Sequence, residues 1–466
     1  MTAIFVDQAI EALRADFRGE LVAPGSPGYE ETRHVRNGLI DRHPVLIARC
    51  SGTADVVAAV NFACEHDLLV SVRGGGHNVA GTATNDGGIV IDLAPMRGVR
   101  VDPAARTVRV QGGATWGDVD RETQLFDLAT PGGNVSTTGV GGLTLHGGWG
   151  WLRRKYGYSI DNLLSVDIVT ADGQVRIASE TENPDLFWAV RGAGSNFGVV
   201  TSFEFRLHEV GPLVAVASPF YALEDAERVL PAWRDYLSTA PDEVSSNLLL
   251  WSIPAVESFP TELHNLAVVI LAAVYAGPAE EGEEVLRPLR ELATPLLDLS
   301  GQWLYTALQG GFDPLFPAGR LYYWKSLYLN DFDDETMAAT IRYARDRPTP
   351  MSLLGLWPLG GGAASRVGAE ATAFGRRDVP YLISFDTTWE DPAETERCLA
   401  WTRAAWADMR RLGPGGLYLN FAGFGEEKEE LVRAGYGANY DRLVELKTRY
   451  DPGNLFRMNQ NIRPRA

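Results

Sequence analysis

The chain has 466 residues, 45% of them hydrophobic and 22% charged, enough for a cofactor unit and a separate substrate unit with its own core. Its formal charge of -18 excludes a protein that tracks nucleic-acid phosphates or clings to an anionic membrane, because both tasks demand positive surface. Three widely spaced cysteines, Cys50, Cys64 and Cys398, make neither a disulfide framework nor a zinc site.

The first eight residues lack a basic segment followed by an apolar core, so no signal peptide is read there and a cytoplasmic location is expected. Thr53 can cap a helix with Val56, Val57, Val60 and Cys64 on one face, leading into a strand over Leu68–Val72. Gly88–Leu93 reads as another strand, and residues 99–110 as a hairpin turned at Pro103. Asn183-Pro184-Asp185 is a helix start, with Leu186, Phe187 and Val190 on the apolar side before Gly192, and residues 197–205 form the next strand. The apolar run at 266–274 is too short to span a bilayer. Composition changes near Val210-Gly211-Pro212 and again at Gly413-Pro414-Gly415-Gly416. These breaks divide the chain into 1–210, 211–412 and 413–466, the middle part being an α+β substrate domain.

Two motifs carry chemistry. Arg73-Gly74-Gly75-Gly76-His77-Asn78 directly follows a strand, and three side-chain-free residues let backbone N–H groups converge on an anion such as a pyrophosphate. The spacing is not that of a Rossmann turn, and an ordinary glycine turn beside a surface histidine is the alternative. The second motif runs from Pro131 to Gly150 and is dense in glycine and hydroxyl residues, which suits close contact between backbone and a flat ring with a phosphate tail.

With these runs in hand, the sequence resembles the berberine-bridge-enzyme-like FAD-linked oxidases of the vanillyl-alcohol oxidase superfamily. The match includes Tyr29, Asn37 and Pro44, the turn at 73–78, GVGGLTL at 139–145, RKYG at 154–157, DNLLS at 161–165, the segment 183–205, and YDPGNLFRMNQNI at 450–462. The fold this implies is α+β: a two-subdomain PCMH-type FAD-binding domain formed by both chain ends, plus a central α+β substrate domain with an antiparallel sheet. The resemblance further implies that His77 bonds the 8-methyl carbon of the flavin. Val135 stands where relatives carry a second, cysteinyl link, so a single histidyl tether is expected. Flavin contacts are implied for Arg73, Gly74, Gly75, Gly76 and Asn78, then for Pro131, Val135, Thr138, Gly139, Gly142, Gly147, Gly148, Trp149 and Gly150. Tyr156, Asn162, Val199, Val200, Asn420, Asn459 and Asn461 complete the set.

Three side chains are candidates for catalysis. His146 replaces a usual glycine and is either an acid, base or substrate contact, or a residue packed behind the loop. The segment Leu417–Phe421 resembles a Tyr-x-Asn-Tyr strand whose second aromatic serves as base; Phe421 cannot take a proton, which leaves Tyr418 as the nearest phenol or as a packing residue. Lys325, on a strand resembling one that faces the substrate, either neutralises an anion or sits on a solvated face. Arg376 replaces a usual histidine, Arg377 is read as structural, and no Asp or Glu of the middle region is singled out. His34, His43, His66, His208 and His264 show no metal-ligand spacing. The expected activity is an FAD-dependent oxidase, taking hydride from a small alcohol, sugar or natural-product intermediate and passing electrons to O2 to give hydrogen peroxide. Alternatives are an oxygenase of natural-product biosynthesis, a dehydrogenase, or a redox-silent flavin-binding protein. The expected partners are the small-molecule substrate and O2, with no nucleic acid and no membrane, for a monomer or homodimer.

Overall fold

Strands Glu20–Val22, Leu46–Arg49, Ile89–Asp92 and Val70–Arg73 lie side by side in that order, the last three parallel. Parallel strands covered on both faces call for unbroken apolar runs, and Ile89, Val90 and Ile91 are all fully buried. Helix Thr53–Glu65 packs on this sheet through Val56, Ala59, Val60 and Ala63. Gly52, not Thr53, stands at the N-cap, and it gives no side-chain cap hydrogen bond. Asp55 instead ties the helix start down by accepting the backbone N–H groups of Ser51 (2.8 Å), Arg18 (2.9 Å) and Gly19 (3.0 Å). Cys64, expected on the apolar face, is exposed. The structure, a computed structural model, describes residues 3–416, 418–424 and 429–465; Leu417 of the segment read above lies outside them.

A second sheet of five antiparallel strands runs in the order Val99–Asp102, Thr107–Gln111, Val199–Arg206, Leu163–Val169, Val175–Ser179. Its first two strands are the expected hairpin. Helix Pro184–Ala193 packs nearby, but Asn183 adopts a left-handed conformation and gives no side-chain cap.

The middle of the chain folds into a nine-stranded antiparallel sheet. Its main path is Leu297–Asp298, Pro219–Ala222, Ala267–Tyr275, Val244–Ser252, Leu353–Pro358, Tyr381–Trp389 and Leu321–Leu329. Helices Ala226–Thr239, Ala279–Arg290, Asp334–Arg345 and Thr395–Met409 bury one face, against Leu248, Leu250, Leu354, Leu356, Ile383 and Phe385. Side chains alternate along a strand, so Asn247, Leu249, Leu353, Trp357, Asp386 and Trp324 turn to the opposite face.

The chain then returns to the first unit. Helices Glu429–Tyr436 and Tyr440–Tyr450 join the core of the second sheet, and Leu455 and Phe456 join that of the first. Fully buried Lys447 fastens this return, donating to the Asn196 and Phe456 carbonyls (both 2.8 Å) and to Asp451 (2.6 Å). Residues 419–421 form a short turn instead of the expected strand. Among the described residues, no helix is long and apolar enough to cross a membrane, and no His, Cys, Asp and Glu group could hold a metal ion.

Candidate active site

A continuous cavity runs from the two glycine turns to the free face of the central sheet. At the first end, the backbone of 74–76 leaves strand Val70–Arg73 and passes against residues 137–139. A Cβ on Gly75 would lie 2.5 Å from the Gly139 nitrogen, so this crossing needs glycine. Gly74, Gly75, Gly76, His77, Asn78, Val135, Thr138, Gly139 and Gly142 line the cavity. Arg73 does not. It donates two hydrogen bonds to the Asp92 carboxylate (3.1 and 2.8 Å) and one to the Thr32 carbonyl (2.6 Å), fixing the strand end from which the turn departs.

His77 is held from both sides. Arg36 Nη1 lies 3.1 Å from His77 Nε2, and Thr138 Oγ1 lies 3.3 Å from Nδ1. An arginine only donates, so Nε2 accepts and Nδ1 carries the proton. Crowding by its neighbours, reinforced by the Arg36 charge, depresses the His77 pKa to about 3 against a smaller opposing pull from the Thr137 carbonyl. The imidazole is therefore neutral. Arg36 has no motif around it that would signal its place beside His77.

The remaining residues of the second glycine run separate into lining and support. Trp149 lines the cavity. Gly147, Gly148 and Gly150 shape the loop behind it; Gly147 and Gly148 have φ of 110° and 76°, and Gly150 lies against the Gly132 carbonyl. The Pro131 carbonyl accepts from Ser159 Oγ at 2.8 Å. Tyr156 and Asn162 belong to a knot away from the cavity: Tyr156 stacks on His208 with centroids 3.9 Å apart, and Asn162 bonds His208 Nε2 at 2.6 Å and the Tyr156 and Tyr158 carbonyls. Val200, Asn420 and Asn459 line the cavity, whereas Val199 lies in the core between sheets and Asn461 only nearby in the chain. Of the amides lining the cavity, Asn78 Oδ1 and Asn134 Nδ2 are buried with no partner among the described residues. A glycine cradle ringed by neutral amides fits a flavin and its pyrophosphate, whose carbonyl, N–H and phosphate groups answer such donors and acceptors.

At the other end the sheet supplies a different wall. Trp324, Trp357, Phe312, Phe316 and Phe421 line it, and Trp324 and Phe421 meet edge to face at 5.9 Å. Asp386 stands among them, directly across the strands from Trp324 and from Leu353. Its Oδ2 accepts from Ser384 Oγ at 3.1 Å, while Oδ1 has no partner among the described residues. Burial, opposed only by Ser384, pushes its pKa up to about 7. Asn247, also on this wall, accepts from buried Arg153 at 2.8 Å, which leaves its own N–H groups for a ligand. No local motif marks Asp386 or Asn247; only the strand register would have revealed them.

The three catalytic candidates are placed differently. Tyr418 lines the cavity beside Trp149, ring centroids 3.7 Å apart, and its hydroxyl accepts from Asn420 Nδ2 at 2.8 Å. Burial raises its pKa far above the usual phenol value, despite the Asn420 and Gly148 donors that pull it back, so it is a neutral phenol. His146 also lines the cavity; Nδ1 donates to the Gly142 carbonyl (3.2 Å) and Nε2 accepts from Ser195 Oγ (2.9 Å). Lys325 is on the other face of its strand, buried under helix Thr395–Met409 with Nζ 4.4 Å from the Trp406 ring centroid, and does not reach the cavity. Arg377 is structural, forking onto Asp161 at 3.0 and 2.6 Å.

The family model described as FAD binding domain matches residues 44–179, and the one described as berberine and berberine like matches 417–463. An FAD-linked oxidoreductase of Dictyostelium discoideum is 32% identical over 98% of this chain and 97% of its own length. The (R)-6-hydroxynicotine oxidase of Paenarthrobacter nicotinovorans is 31% identical over 96% of this chain and 97% of its own. Among solved structures, 6-hydroxy-D-nicotine oxidase from Arthrobacter nicotinovorans superposes with a TM-score of 0.85 at 30% identity, covering 96% of this chain and 98% of that one. A chitooligosaccharide oxidase gives 0.83 at 25% identity, covering 99% and 100%.

Proposed function

This chain belongs to the berberine-bridge-enzyme-like FAD-linked oxidoreductases, and from that premise we propose an oxidase of apolar, ring-bearing alcohols or amines, with FAD tethered through His77 alone. Bound FAD supplies the two-electron acceptor, which O2 restores with release of hydrogen peroxide. Everything else falls to the protein. In the balanced reaction the substrate loses one hydrogen from carbon and one from the attached X, an oxygen or nitrogen; a C=X double bond forms, and O2 becomes hydrogen peroxide. One group must therefore take the proton from X–H.

Asp386 is the observation that carries this reading. It is a buried carboxyl with one oxygen unengaged, at the aromatic end of the cavity, and a pKa near 7 makes it a base matched to neutral pH. It answers the absence of a tyrosine at Phe421. The surrounding tryptophan and phenylalanine rings exclude water and grip a flat apolar body, while Asn247 offers a donor for a polar substituent. Few polar groups face this end, which favours a compact aromatic substrate over a sugar chain. Tyr418, held neutral, positions Asn420 and Trp149 through its contacts with them.

For the tether, the neutral imidazole of His77 at the glycine cradle, with valine at 135, supports one bond and no second. The test pairs two measurements: peroxide release matched to O2 uptake across a panel of aromatic alcohols and amines, and the colour of the acid-precipitated pellet. Labelled oxygen in the product with little peroxide would replace the oxidase by an oxygenase.

A further inference from the structure

Arg36 stands beside the residue that the preceding section makes the tether, and no carboxylate pairs with it among the described residues. The segment carrying it is clamped twice. The Arg36 N–H donates to the Gly76 carbonyl (3.3 Å), and its carbonyl accepts from Gly319 of the central unit (2.9 Å). Next to it, Asn37 donates to Val79 (2.8 Å) and Tyr322 (2.9 Å) and accepts from the Tyr322 N–H (3.0 Å). The guanidinium is thus fixed against the glycine turn, with further contact from Nη1 to Thr137 Oγ1 at 3.3 Å. The nearest carboxylate that acts on it, Asp313, is engaged by the Ser136 N–H and hydroxyl (2.9 and 2.5 Å).

We propose that Arg36, which occupies His77 Nε2 and so leaves Nδ1 to join the flavin, places a positive charge without an ion-pair partner among the described residues at that end of the ring, raising the flavin's reduction potential. This rests on the His77 tether. In forming the bond, Nδ1 and the 8-methyl carbon each release a proton, and the two electrons left over pass to O2, which becomes hydrogen peroxide. After bonding, Nε2 keeps its lone pair, and Arg36 keeps its acceptor. The cation then withdraws electron density through the imidazole and stabilises added negative charge on the ring.

The test uses the purified holoenzyme. A proteolytic flavin-histidine peptide from the wild type, examined by NMR, should show attachment at Nδ1. Arg36→Met should keep its flavin but show a lower midpoint potential and roughly tenfold weaker sulfite binding, the worth of one nearby charge, and Arg36→Lys should recover most of both. Attachment at Nε2, or a potential and sulfite affinity unchanged in Arg36→Met with its flavin bound, overturns the proposal. Should Arg36→Met not fold, Arg36→Gln, neutral but still able to donate to Nε2, should show the same lowered potential, and an unchanged potential there overturns the proposal equally. A colourless wild-type acid pellet is a separate failure, because it removes the tether itself.

Discussion

The two ends of the cavity are built in opposite ways. The cofactor end comes from two contiguous stretches, 74–78 and 131–150, in which backbone does the shaping and side chains are removed. The substrate end comes from single residues on four strands, Asn247, Leu353, Asp386 and Trp324, separated by up to 139 positions and brought together only by antiparallel pairing. One end is a local solution, and the other is a product of register. A tight turn tolerates almost no substitution, whereas a sheet face can change any single side chain and keep its backbone. Affinity for the flavin and choice of substrate are thereby placed on separable parts of the molecule.

The change with the largest expected effect falls at the cofactor end. His77→Ala should remove covalent flavin altogether: the acid pellet turns colourless while the soluble fraction holds any FAD that remains bound. Yellow colour surviving in the variant's pellet would move the tether elsewhere.

Asp386→Asn tests the substrate end. Loss of a positioned base should lower kcat by about 10²- to 10⁴-fold while covalent flavin stays in place. In the wild type, kcat/KM should rise as pH climbs through about 7, where the carboxyl becomes competent as a base, and that limb should vanish in the variant. Stability should move the other way. A carboxyl whose folded pKa is raised binds its proton more tightly in the folded state, so stability is lost as pH rises from the ordinary carboxylate range through 7. Asparagine escapes that penalty. Thermal melts should therefore show the variant more stable than wild type at pH 8, by a few kcal/mol at most, and little changed at pH 4. An inactive but stabilised variant marks Asp386 as a group kept for chemistry.

Gly75→Ala sharpens the contrast from the other side. Its Cβ would meet the Gly139 nitrogen at 2.5 Å, backbone against backbone. Overpacking of this kind costs about 1–3 kcal/mol, and a lower melting temperature with reduced flavin content should follow. Leu353→Ala, on the sheet face, should alter KM among substrates and leave flavin content alone.

The same division governs what could be read in advance. Order and spacing of glycines reveal the cradle, because the turn requires their absence of side chain wherever the rest of the chain goes. The central sheet itself begins at Leu213. Lys325 shows the limit. It sits one residue from Trp324, and a single step along a strand exchanges cavity for helix-covered core. Asp386 was invisible for the same reason: a lone acid in Ser-Phe-Asp-Thr-Thr reads as polar surface until its neighbours across the sheet are known. Arg36 lacks even that, since its partner lies 41 positions away.

His146 gives the finest comparison, because it touches the cavity and yet belongs to the frame. It spans from the Gly142 carbonyl to Ser195 Oγ, joining the helical turn Val140–Thr144 to the turn Gly194–Asn196. Burial lowers its pKa from the usual histidine value, against a smaller opposing effect of the Gly142 carbonyl. A base whose folded pKa is depressed contributes stability that is present above its unfolded value, near 6.5, and lost as pH falls below it. His146→Gln removes that titration. The variant should lose about 0.5–1.5 kcal/mol at pH 8, the worth of one imperfectly replaced hydrogen bond, and should decline less than wild type on acidification. Its kcat/KM profile should retain the limb near pH 7. If that limb disappears in His146→Gln and persists in Asp386→Asn, the base belongs to the glycine loop and the two ends exchange their roles.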